Sequence, residues 1–134
     1  FGGDPFPGHD RINHSLGEIQ AIVKQGRPDW RIALEHMKGV YVIHDAATGE
    51  AYVGSAYGDT GIWQRWSYYA HTFHGENVGL KAHLAAHGED YFRKNMRFAL
   101  LEFWSMRTDD THVIDRENYW KGVLLSRSLG HNKN

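Results

Sequence analysis

The chain is predicted to fold as a small α+β domain with an N-terminal helical extension. Three observations predict it. Apolar residues recur at helical spacing from Ser15 to about His36, and the pattern switches to short β-rich runs at Gly39. Helical spacing then returns after Gly61, broken by one further strand.

Taken in order, the first thirteen residues mix Gly, Pro and Asp, and Pro5 and Pro7 block regular structure. Ser15 with Glu18 three residues on forms a possible capping box. Leu16, Ile19, Ile22 and Val23 line one face of the helix that follows, and Gly26 with Pro28 ends it. Asp29 reads as the next N-cap, with Ile32, Ala33 and His36 at helical spacing behind it. Residues 1–37 are therefore an N-terminal loop and helical extension, and residues 38–134 the main domain.

Within that domain, Val40 to Ile43 and Ala51 to Val53 are β-rich. The run from Asp45 to Glu50 reads as a turn that makes them an antiparallel hairpin. Pairing Asp45 with Glu50 sets Ile43 opposite Tyr52 and Tyr41 opposite Gly54. Both tyrosines then share a face, and Gly54 leaves open space beside Tyr41; a slip of one residue would separate them. After Gly61 a helix carries Ile62, Trp66, Tyr69, Ala70 and Phe73 on its apolar side. A second helix covers Val78 to His87, Phe98 to Trp104 form a third strand, and a last helix runs from Asp110 to Ser126. The acidic pair Asp109-Asp110 suits that helix's N-terminus.

A length of 134 residues, 41% of them hydrophobic and five of them tryptophan, suits one packed core. No apolar run approaches 18 residues, so no membrane-spanning helix is expected, and no secretory signal is visible. With no cysteine, disulfides and thiolate zinc sites are excluded. This composition is compatible with a cytoplasmic location, which is the expectation. The first residue is Phe1 rather than Met, which suggests a trimmed or processed product. A net charge of −1 gives nucleic-acid binding no support by itself. A near-neutral total can still hide a local patch: Arg93, Lys94 and Arg97 crowd together, and Arg65, Lys81, Arg116 and Lys121 could join them in space.

Several residues fit an ordinary core poorly. On the last helix Glu117 shares a stripe with Val113, Trp120 and Leu124. A carboxylate there needs a cation or donors, and a salt bridge to a neighbouring Arg or Lys is the ordinary answer. The sharper one is a metal ligand, because Mg²⁺ often takes one or two carboxylates and keeps several waters. Arg65 borders the apolar face of its helix, where it would either snorkel to solvent or present its planar fork to a phosphate. Tyr69, four residues later, projects the same way. Taken singly, Tyr41 and Tyr52 are ordinary strand tyrosines. Among the ten histidines, His71 with His74, or His83 with His87, have spacings that could suit zinc. No HExxH motif accompanies them, so solvated or core roles outweigh that reading.

Together these residues resemble the GIY-YIG nuclease family. Its first motif appears as Gly39-Val40-Tyr41, and its second as Tyr52-Val53-Gly54, continuing into Ser55-Ala56. Arg65 follows on a helix, with Tyr69 at the aromatic or His position four residues on. The run Asp115-Arg116-Glu117-Asn118-Tyr119-Trp120 resembles that of phage homing endonucleases, and Asn132 corresponds to a final asparagine. The resemblance covers Gly39 to Asn132. Tyr in place of His at position 69 looks more like the excision-repair nucleases, and His71 or His74 could supply an imidazole instead.

The resemblance implies a three-stranded antiparallel sheet flanked by helices and a metal-dependent endonuclease that hydrolyses phosphodiester bonds in DNA. It implies catalytic roles for Tyr41, Tyr52, Arg65, Tyr69, Glu117 and Asn132, gathered largely on one face of the sheet. Arg65, His74 and Lys81 would bind substrate. Glu117 would hold one Mg²⁺ or Mn²⁺ that polarises the scissile phosphate, Arg65 would neutralise phosphate charge, and Tyr41 or Tyr69 would take a proton from the attacking water. A free tyrosine has a pKa near ~10, so that role needs a cation nearby to favour the phenolate. Two other classes compete. One is an inactive nucleic-acid-binding domain on the same fold. The other is a structural or interaction domain, which would require Glu117 to be fully occupied by a salt bridge, for example with Lys121, and Arg65 to stand exposed, away from the tyrosines.

Overall fold

The structure, a computed structural model, describes residues 4–127. It is an α+β fold built on one antiparallel sheet of four strands. The strands are β1 (His14–Ser15), β2 (Met37–Asp45), β3 (Ala51–Ala56) and β4 (Met96–Ser105), in the spatial order β1-β4-β2-β3. Three strands were expected. The fourth, β1, pairs His14 with Phe98 and Ser15 with Arg97. Two residues are too few to show an alternation, so this strand leaves no signature in the sequence.

The hairpin forms in the expected register. Asp45 N–H donates to Glu50 O at 2.8 Å, Ile43 lies opposite Tyr52, and Tyr41 lies opposite Gly54. Alternation then sorts the side chains. Tyr41, Ile43, Tyr52 and Ala56 face a large core, while Val40 and Val53 face a smaller cluster with Val113, Trp120 and Leu124. Strand β3 lies at one edge of the sheet, and among the described residues it is paired only to β2, which leaves its other edge unpaired there.

Among the described residues six α-helices flank the sheet: α1 (Leu16–Gln25), α2 (Pro28–Glu35), α3 (Gly61–Thr72), α4 (Val78–His87), α5 (Glu89–Asn95) and α6 (Asp110–Arg127). Helix α1 opens on a capping box, Ser15 N–H donating to Glu18 Oε1 at 2.9 Å and Glu18 N–H to Ser15 Oγ at 3.2 Å. It closes on Gly26 in the left-handed region. Asp29 is not the cap of α2, which starts at Pro28 with Arg27 as cap, two residues earlier than expected. Proline at the first helical position has its φ preset and no N–H to satisfy, so it starts the helix itself. Asp29 instead accepts from Phe6 N–H at 2.8 Å and pairs with Arg27.

Leu16, Ile19, Ile22, Trp30 and Leu34 pack in the same core as Tyr41, Trp66, Tyr69 and Phe98. The N-terminal helices thus complete the floor beneath α3. At the far end, Lys38 is almost buried and its Nζ donates to Thr108 O at 2.6 Å and to Asp110 at 2.8 Å. Asp110 also accepts from Gly58 N–H at 2.9 Å. This pins the start of α6 to β2 and to the loop after β3. Among the described residues, no helix is long and apolar enough to cross a membrane.

Candidate active site

Tyr41 lies across Gly54 on the neighbouring strand. A Cβ at position 54 would come 2.6 Å from the Tyr41 hydroxyl oxygen, so only glycine leaves the ring its place. Tyr41 is fully buried, donates its hydroxyl proton to Tyr69 Oη at 3.1 Å and accepts from Arg65 Nε at 3.2 Å. Arg65 Nη2 donates to Gly75 O at 3.2 Å, and its guanidinium lies 5.1 Å from the centre of the Tyr69 ring. Gly75, at φ 53°, offers no room for a side chain because the Tyr69 ring packs directly on it. Arg65, Tyr41 and Tyr69 are therefore a fixed cluster carried by α3, β2 and the turn after α3.

Glu117 approaches from the other face. In β3, Gly54 points toward the tyrosines, whereas Ser55, next to it, points toward α6. Ser55 Oγ donates to Glu117 Oε1 at 2.6 Å, and Lys121 Nζ lies 3.2 Å from Glu117 Oε2. The expectation that one face would gather the whole set needs correcting. The smaller hydrophobic cluster draws α6 to the face opposite the tyrosines. The two halves meet around the outer edge of β3, in a cleft of about 530 Å³ that Arg65, Tyr69, Ser55, Glu117 and Lys121 all line.

The remaining expected site residues lie elsewhere. Tyr52 shares the tyrosine face but turns toward α4, where Gly79 leaves space for its ring. Its hydroxyl donates to Glu50 at 3.3 Å, and it does not line the cleft. Burial and the neighbouring Glu50 carboxylate push its pKa up to about 12. His74 Nδ1 accepts from Glu76 N–H at 2.9 Å, a turn contact outside the lining. Lys81 pairs with Glu76 at 2.7 Å and is also outside it. Asn132 lies outside the described residues. His71 opens onto a neighbouring hollow with Gln64 and Tyr68. His83 is bound to the buried Asp45 at 2.7 Å. Among the described residues, no three His, Asp or Glu side chains converge as a metal cluster.

Tyr41 is a poor proton acceptor here. Burial pushes its pKa well above the ordinary tyrosine value, the neighbouring Tyr69 adds to this, and Arg65 offsets only part. Its proton stays on, which is what its bond to Tyr69 requires. Tyr69 is almost as deeply buried, but it lines the cleft.

A divalent ion is compatible with the donor set. Glu117 offers one carboxylate to the cleft, enough for an Mg²⁺-type ion that keeps several waters and takes the rest of its shell from phosphate. The Lys121 ammonium already marks Glu117 Oε2 as a position for a cation.

Two cleft residues carried no assigned role in the sequence reading. Ser55 stands inside the second motif, and strand alternation from Val53 is the signal that would send it toward α6. Lys121 was visible as the i+4 neighbour of Glu117 and as one member of a possible basic patch, and neither reading placed it at the site. No family model matches the chain, and no curated protein or solved structure matches it.

Proposed function

We propose that this protein is a metal-dependent endonuclease of the GIY-YIG type, hydrolysing phosphodiester bonds in DNA. One observation carries the reading: Arg65, locked to Tyr41 and Tyr69, faces the same cleft as Glu117 at the outer edge of β3. When bound at Glu117, Mg²⁺ or Mn²⁺ supplies Lewis acidity toward the scissile phosphate and charge stabilisation for the leaving oxygen.

The chain's own groups do the rest. Arg65 keeps its charge and already spends Nε and Nη2 on Tyr41 and Gly75. Those bonds hold the guanidinium still, so its remaining N–H groups meet phosphate oxygens without reorganisation. Tyr41 keeps its proton and acts as the strut between Arg65 and Tyr69. The Tyr69 hydroxyl accepts from Tyr41, and its own proton remains to be donated. Tyr69 is therefore the group suited to orient an attacking water. Ser55 fixes the Glu117 carboxylate from the strand side. Tyr52 has no part in this scheme.

The interaction-domain alternative draws on one real contact, the Lys121–Glu117 pair. Its other requirement, an Arg65 exposed and away from the tyrosines, runs against the Arg65–Tyr41 bond.

Plasmid cleavage by the chain and by Glu117→Gln, each with Mg²⁺, Mn²⁺ or EDTA, tests the proposal. The expected result is cutting by the wild type with metal only, and a loss of about a hundredfold or more in the variant. Equal cutting by the variant, or a wild type inert under all three conditions, would sink it.

A further inference from the structure

The two oxygens of Glu117 are held by two different groups. Oε1 accepts from Ser55 Oγ at 2.6 Å, a short bond anchored in β3. Oε2 faces Lys121 Nζ at 3.2 Å, one turn further along the same helix. The Glu117 side chain is 17% exposed and that of Lys121 33%. The carboxylate is thus largely removed from water, and the ammonium sits at the boundary with the cleft. A cation beside Oε2 relieves the desolvated charge, and Ser55 by itself does not supply one.

We infer that Lys121 is a built-in competitor for the metal, its ammonium and a divalent ion excluding one another at Glu117 Oε2. The inference rests on the nuclease reading of this cleft. Oε1 already accepts from Ser55, and Oε2 is the oxygen that already faces a cation, Lys121. Two cations on one carboxylate oxygen repel strongly at a half-buried site. Lys121 has a flexible stem with three rotatable donors and lines the same cleft as Arg65, so it has somewhere to go. On release, its ammonium joins Arg65 toward an anionic substrate. The arrangement keeps Glu117 ordered and neutralised at rest, and it lowers metal affinity by the strength of the pair.

Direct titration with Mn²⁺ tests this, following the free-ion paramagnetic resonance signal with no DNA present. The proteins compared are the wild type, Lys121→Met, Lys121→Arg and Glu117→Gln. Met keeps the length and packing of the stem and removes the charge; Arg keeps the charge. The Mn²⁺ half-saturation of Lys121→Met is expected to fall about three- to tenfold, that of Lys121→Arg to stay near wild type, and Glu117→Gln to lose the site. Unchanged or weaker binding by Lys121→Met overturns the inference, as does binding by Lys121→Arg as tight as by Lys121→Met. Absence of Mn²⁺ binding by every form overturns it too. Plasmid cleavage by the same proteins separates the two claims. Metal-dependent cutting without the affinity shift removes the competitor role alone, and the affinity shift without any cutting removes the nuclease reading alone.

Discussion

A single methyl group decides whether the Tyr41 cluster can exist. At Gly54 it would meet the Tyr41 hydroxyl and ring carbons at 2.6 to 2.7 Å, and Tyr41 is fully enclosed with nowhere to retreat. Gly54→Ala is expected to destabilise the fold by about 1–3 kcal/mol, the usual cost of overpacking a filled core. On the proposed nuclease reading, Tyr41 holds Arg65, so plasmid cleavage should fall along with stability. Urea unfolding of the variant checks the first part, and a midpoint equal to wild type would show that the ring can move. This contact was legible in the sequence, because the Asp45–Glu50 turn fixes the hairpin register and register sets Tyr41 beside Gly54. The fate of Tyr52 was not. Alternation tells which face a side chain takes but not what crosses that face, and Gly79 of α4 is what draws the ring aside. Nor was the state of Tyr41 legible as a base. Its pKa depends on how completely the chain buries it, and neighbours far away in sequence set that.

Elements were read best where their ends carry chemistry. Helix α1 shows both of its ends, in the Ser15–Glu18 capping box and in Gly26, and both are observed. Ser15→Ala removes the acceptor for Glu18 N–H and is expected to cost about 1 kcal/mol, read as a lowered unfolding midpoint with an unchanged slope. A change within error would mean that the pairing of Ser15 with Arg97 in β1 carries the helix start instead. Elements without such ends went unread. Helix α5 has seven residues and a single buried side chain, Phe92, so no stripe forms. Helix α6 shows its own stripe of Val113, Glu117, Trp120 and Leu124, yet nothing in that stripe says which face of the sheet it covers. Val40 and Val53 decide this by offering an apolar patch opposite the tyrosines. The candidate site is therefore an edge around β3, and the sequence reading made it a face.

At the scale of the whole molecule, Asp45 ties the hairpin to the helices behind it. It is completely buried, and its carboxylate accepts from His83 Nε2 at 2.7 Å, Tyr91 Oη at 2.7 Å, Ala47 N–H at 2.8 Å and Thr48 N–H at 3.2 Å. The β2–β3 turn, α4 and α5 thus converge on one charged group, and the backbone bond from Ala46 N–H to Asn95 O closes the same corner. Burial by itself would raise the Asp45 pKa. The bonds from Tyr91, His83 and the two backbone amides outweigh it, and the pKa is held below the ordinary value. A depressed folded-state pKa means that near and below the unfolded value the unfolded chain binds more protons. The contribution of Asp45 is therefore fully present above about pH 4 and is lost as pH falls through the lower folded-state value. Asp45→Asn keeps the shape but removes the charge and turns one acceptor into a donor facing donors, at an expected cost of about 2–4 kcal/mol near neutral pH. Urea unfolding of both proteins from neutral pH downward should show that gap hold to about pH 4 and then narrow. A gap that stays constant to the lowest pH at which both remain folded would mean that Asp45 acts through shape alone, and that its charge is not what joins the turn to the helices.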